Sequence, residues 1–82
     1  MISCHHYDYI EIVCMHQYPI KITTKSDVVI YGIALDTQRN ESCEECIKVN
    51  INAIEKLVLL DDIVVLEVTV ENPHFQIISF MA

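Results

Sequence analysis

Residues 19–34 read Pro19-Ile20-Lys21-Ile22-Thr23-Thr24-Lys25-Ser26-Asp27-Val28-Val29-Ile30-Tyr31-Gly32-Ile33-Ala34. Ile20 and Ile22 alternate with Lys21 and Thr23, the two-residue period of a strand with one buried face. Ser26-Asp27 supplies turn chemistry, and Val28 to Ala34 resumes an apolar run rich in β-branched residues. The stretch predicts two strands joined by a tight turn, with Gly32 offering a place for a bend or bulge in the second.

Working toward the C-terminus, Asp36 to Glu45 is polar and predicts a loop. Cys46 to Ile51 follows as a strand in which Ile47, Val49 and Ile51 share a face, and Asn52-Ala53 turns the chain into Glu55 to Leu60. Asp61-Asp62 makes a short polar corner before Ile63 to Val70, and Asn72-Pro73 interrupts the chain before a last apolar run, Phe75 to Phe80. About six short strands with no alternating helices need closure or a second layer to cover their apolar faces. The expected architecture is mainly β, a small barrel or strongly bent antiparallel β-sandwich.

Working toward the N-terminus, Tyr7 to Pro19 admits two readings. Ile10, Val13 and Cys14 fall on one helical face, whereas Ile10, Ile12 and Cys14 also alternate like a strand. The helix is favoured by its end signals. Asp8 and Glu11 have the spacing of a capping box, Tyr7 and Ile12 that of a hydrophobic staple, and Pro19 would end the element.

Eighty-two residues predict one domain, 1–82, near the lower limit for a self-supporting core, and 52% hydrophobic residues are enough to build one. Five basic residues face twelve acidic ones, for a formal net charge of -7. Lys21, Lys25, Arg39, Lys48 and Lys56 are scattered singly rather than gathered into a phosphate-binding stripe. Direct nucleic-acid binding is therefore disfavoured, and a basic protein partner is favoured. No basic-then-apolar signal segment and no long apolar run are present, so the expected location is the cytoplasm. Cys4, Cys14, Cys43 and Cys46 then read as reduced thiols, mostly small core residues.

Chemical motifs are sparse. Cys43-Glu44-Glu45-Cys46 has zinc-knuckle spacing but supplies only two ligands, and its acidic interior disfavours a reactive thiolate. No nucleophile elbow, phosphate loop or metalloprotease pair occurs, so neither an enzyme nor a cofactor is expected. His5 and His6 read as exposed residues just before the helix, able to titrate near neutrality. Asp8 and Glu11 stand beside Tyr7 and Tyr9, combining carboxylates with aromatic contact area, and Asp36, Glu41, Glu44 and Glu45 add acidity around the predicted loop. The plain alternative is local capping and a solvated rim.

The segment Cys4-His5-His6-Tyr7-Asp8-Tyr9-Ile10-Glu11-Ile12-Val13-Cys14 resembles the N-terminal signature of the Rof, or Rho-binding antiterminator, family. The pattern is carried by Cys4, Tyr7, Asp8, Glu11 and Cys14, with apolar Ile10 and Ile12 between them. It continues through Ile20 to Thr24, Gly32 to Asp36, Glu45 to Val49 and Leu60 to Ile63. The resemblance implies an Sm-like curved sheet with an N-terminal helix. It also implies binding to the hexameric RNA helicase Rho, whose RNA-loading surface is basic, with loss of RNA access and of Rho-dependent termination. Relatives can carry two acidic residues where this chain has His5 and His6. The expected contact residues are His5, His6, Tyr7, Asp8, Tyr9, Glu11, Asp36, Glu44 and Glu45, on a chain monomeric when free. The competing readings are a small Sm-like RNA-binding domain and an unrelated protein adaptor.

Overall fold

One helix, α1 (Cys4–Met15), precedes six strands: β1 (Pro19–Thr24), β2 (Val29–Arg39), β3 (Glu45–Ile51), β4 (Ile54–Leu59), β5 (Ile63–Val68) and β6 (Ile77–Ser79). The computed structural model describes residues 4–80, with side chains from residue 5 onward. The strands form one antiparallel sheet in the order β4-β3-β2-β1-β5-β6. Because β4 and β6 lie at opposite ends of that order, the sheet is open and bent over its own core. A one-turn 3-10 segment, Leu60–Asp62, makes the corner between β4 and β5.

The helix begins earlier than its end signals suggest. Asp8 is the fifth helical residue and Glu11 the eighth, so both amides lie beyond the first turn, where free N–H groups need caps. The capping box and the Tyr7–Ile12 staple are therefore corrected: the spacing is present, but the helix start is not there. His5 and His6 likewise lie inside the helix, not before it. Its C-terminal end is closed by paired hydrogen bonds, Tyr18 N to Val13 O at 3.0 Å and Gln17 N to Cys14 O at 3.2 Å. Gln17 adopts the left-handed φ of 51° that this closure needs. Pro19 then opens β1.

Ile10 and Val13, three residues apart on α1, reach the core and meet Ile20 and Ile22 of β1, Ala34 of β2, Ile47 and Val49 of β3, and Leu66 and Val68 of β5. At full burial each aliphatic side chain contributes on the order of 1.5–3 kcal/mol, which makes this cluster the main source of stability.

Two register shifts bend the sheet. One falls between Thr23 and Thr24 against β5, the other between Ala34 and Asp36 against β3. The second corrects the expectation for Gly32, which pairs regularly with Ile20. Gly32 serves close packing instead: a Cβ there would stand 2.7 Å from Asn50 O and overlap a methyl of Val49. The expected loop 36–45 is also shorter than its polarity suggests. β2 runs on to Arg39, so Asp36 is a strand residue. β5 ends at Val68 and β6 occupies only Ile77–Ser79, both shorter than the apolar runs that contain them.

Candidate protein-interaction surface

Helical spacing sorts the α1 side chains into three stripes. Ile10 and Val13 face the core. His6 and Tyr9 meet the C-terminal segment, where His6 stacks on Phe80 at 4.5 Å and Tyr9 meets Phe75 edge-on at 4.8 Å. His5, Asp8, Glu11 and Met15 are exposed. Tyr7 is half-buried and packs against the core. Both tyrosines thus spend part of their area inside the molecule, and the carboxylates dominate the outward face.

Asp36 joins that face because of the register shift. Side chains two apart on a strand share a face, so an unbroken β2 would put Asp36 on the buried side with Ala34. The extra residue, Leu35, flips the alternation and sets Asp36 opposite Lys48 on β3. The Asp36 carboxylate accepts a hydrogen bond from Thr37 N at 2.8 Å.

Glu11, Cys14 and Met15 of α1 and Leu35, Asp36 and Thr37 of β2 line one open groove of about 440 Å³. Burial above all, and then the negative charges of Asp36 and Glu11, push the Cys14 thiol up from 9.0 to about 11. Two carboxylates from different elements thus share one groove. Among the described residues neither belongs to an ion pair. The cations of the β2–β3 hairpin are engaged elsewhere, Arg39 with Glu45 at 3.6 Å and Lys48 with Glu55 at 3.8 Å.

Glu44 and Glu45 sit at the hairpin tip, about 10 Å along the strand from Asp36 at ~3.3 Å per residue. Asn40 builds that tip. Its Oδ1 accepts from Ser42 N at 2.9 Å and Glu44 N at 3.0 Å, and its Nδ2 donates to Glu44 Oε1 at 3.2 Å. Arg39 donates to Cys43 O at 3.0 Å, and its pairing with Glu45 offsets part of the local acidity.

The five expected carboxylates therefore fall into two groups. Asp8, Glu11 and Asp36 form the exposed acidic ground between α1 and β2. Glu44 and Glu45 make a second, partly compensated patch at the hairpin tip. Met15, Leu35 and Asn40 were not foreseen. An exposed methionine carries no polar signal, and the convergence of Glu11 with Asp36 is invisible without the register shift.

Cys43 and Cys46 do not act as a pair. Cys43 is exposed at a left-handed φ of 62°, whereas Cys46 is buried and donates its thiol hydrogen to Glu44 O at 3.5 Å. Burial, then the Glu44 charge, raises the Cys46 thiol. Cys14 is half-buried, and the side chain of Cys4 lies outside the described residues. Among the described residues no group of three or more His, Cys, Asp or Glu is placed to hold a metal ion. No helix among them is long and apolar enough to cross a membrane.

Residues 1–80 match the sequence profile of the family described as modulator of Rho-dependent transcription termination (ROF). The chain belongs to the ROF family. A solved relative described as YaeO bound to magnesium, from Vibrio cholerae O395, is 43% identical, with a TM-score of 0.88 over 92% of this chain and 97% of that one. No match is found among proteins of curated function. The curved sheet with an N-terminal helix implied by the ROF resemblance is the fold observed.

Proposed function

We propose that this ROF protein binds Rho through the acidic ground between α1 and β2, covers part of the basic RNA-loading surface and so inhibits Rho-dependent termination. Modulation of that termination is the work of its family. The observation that carries the reading is the shared groove of Glu11 and Asp36, two carboxylates on separate elements and without a cation of their own among the described residues. A partner arginine or lysine entering there gains charge complementarity and the apolar flank of Met15 and Leu35. Tyr7 and Tyr9, anchored at the edges of α1, and the tip residues Glu44 and Glu45 extend the contact. His5 and His6 stand at the start of the same helix.

Direct RNA binding is the weaker reading. Of the five basic residues, Arg39 and Lys48 are paired with glutamates and Lys21 lies over the Tyr31 ring at 5.8 Å. Titration of Rho with the protein at low and raised salt tests the proposal. Saturable binding that weakens with salt is expected. Failure of the folded protein to bind Rho at low salt, or salt-sensitive RNA binding without Rho, contradicts it.

A further inference from the structure

Ile20, Ile22, Leu66 and Val68 share the core with Ile10 and Val13 of α1. Side chains alternate along a strand, so the residues between them project from the opposite face of the sheet. The pairing register aligns those outward residues into rows. Tyr31 of β2 stands opposite Lys21 of β1, Lys21 opposite Glu67 of β5, and Glu67 opposite Ile77 of β6. A neighbouring row runs Val29, Thr23, Val65, Ser79 across the same four strands.

This outer face is exposed and largely apolar. Tyr31 is 61% exposed, Ile77 58% and Val29 46%, and Ile33, beside Tyr31 on the same side of β2, is 37% exposed. Its charges also balance, one lysine against one glutamate, on a chain whose net charge is -7. Among the described residues neither Lys21 nor Glu67 belongs to an ion pair. Lys21 lies instead over the Tyr31 ring, 5.8 Å from its centroid.

We propose that this face binds a second copy of the chain, sheet against sheet. The row Tyr31, Lys21, Glu67, Ile77 reads apolar, positive, negative, apolar, and is therefore its own complement when reversed. A two-fold axis running along the strands between β1 and β5 performs that reversal. Each Lys21 then faces the partner's Glu67, and each Tyr31 the partner's Ile77. A uniformly basic or acidic protein would match only one of the two central charges, whereas a second copy matches both. The ion pairs set the register and the apolar flanks supply the affinity. Four strands ~4.8 Å apart, with their side chains, make a face of roughly 400 Å² per copy, about half that of a standard stable interface. The association is therefore weak, with a Kd on the order of 100 µM, and the dilute chain is a monomer. Glu11 and Asp36 lie in neither row, so the dimer and Rho binding are tested apart.

Sedimentation velocity of the full chain without Rho, from about 10 µM to about 1 mM, brackets the affinity of so small an interface. A reversible shift from monomer to dimer is expected across that range. Lys21→Glu or Glu67→Lys sets like charges face to face and should weaken association by about tenfold or more. Glu67→Lys also lowers the net negative charge, so a loss of association there cannot come from overall repulsion. The double exchange Lys21→Glu/Glu67→Lys should restore the dimer. Tyr31→Thr, which keeps a strand-forming residue but removes the ring, should weaken it as well. A monomer throughout the range, with the face left to solvent or to a different protein, overturns the proposal. So do folded single variants that associate like the native chain, or a folded double exchange that stays monomeric. Should a charge variant not fold, Tyr31→Thr decides by the same measurement.

Discussion

Glu11 on α1 and Asp36 on β2, twenty-five residues apart in sequence, both act on the thiol of Cys14. Each makes the thiolate harder to form. Glu11→Gln or Asp36→Asn should therefore lower the Cys14 thiol from its value of about 11, and the double variant should lower it further. Burial, the larger cause, remains. The pH dependence of Cys14 alkylation between pH 8 and 12 reads this out. No change in either variant would remove these carboxylates from the groove.

The raised thiol also makes stability depend on alkaline pH. A group that holds its proton more tightly when folded stabilises the fold below its unfolded value, and that contribution is lost as pH rises through the folded value. Between 9.0 and about 11 the native protein should lose thermal stability faster than Cys14→Ala does. Parallel melting curves at pH 8, 9.5 and 11 check the sign.

Asp8 separates recognition from helix capping. A capping aspartate replaced by alanine costs about 1 kcal/mol. Asp8 is instead exposed in the helix interior, where alanine is the better helix former by a few tenths of a kcal/mol. Asp8→Ala is therefore expected to melt at or slightly above the native temperature while binding Rho about 1 kcal/mol more weakly, roughly fivefold. A clear drop in melting temperature would restore the capping role.

The β3–β4 hairpin offers a test of the backbone. Its two turn residues, Asn52 and Ala53, have φ of 52° and 69°. Asparagine tolerates this region, but alanine pays a steric penalty that glycine does not. Ala53→Gly should stabilise the protein by about 1 kcal/mol in urea unfolding, with Rho binding unchanged. Gly32→Ala should do the opposite, because its Cβ meets Asn50 O and Val49; a cost of about 1–3 kcal/mol is expected.

What the sequence discloses and what it hides divide along a physical line. Alternation of Ile20 with Lys21 and of Ile47 with Lys48 reveals strands because burial on one face has a period of two. The turns at Ser26-Asp27 and Asn52-Ala53 are legible from Ser26, Asp27 and Asn52, residue types that favour turns, whereas Ala53 adds no such signal. The helix start is misplaced because Asp8 and Glu11 have a cap's spacing, while the chain upstream is already helical and its His6 ring stacks on Phe80. Asp36 looks like loop because polarity does not distinguish a loop from the exposed end of a strand. Neither Leu35 nor its neighbours signals the extra residue that turns Asp36 outward. The meeting of Glu11 with Asp36 depends on that shift and on long-range packing, and no local pattern encodes it.

Competition for RNA tests the central claim most directly. Rho carrying a fluorescent single-stranded RNA is titrated with the native protein and with the Glu11→Gln/Asp36→Asn double variant, at matched low salt. The native protein should displace the RNA at near-stoichiometric ratios, and the double variant should need roughly thirtyfold more, as about 1 kcal/mol for each of two lost contacts implies. Native protein that binds Rho while the RNA stays bound, or a folded double variant that competes equally well, would contradict the account.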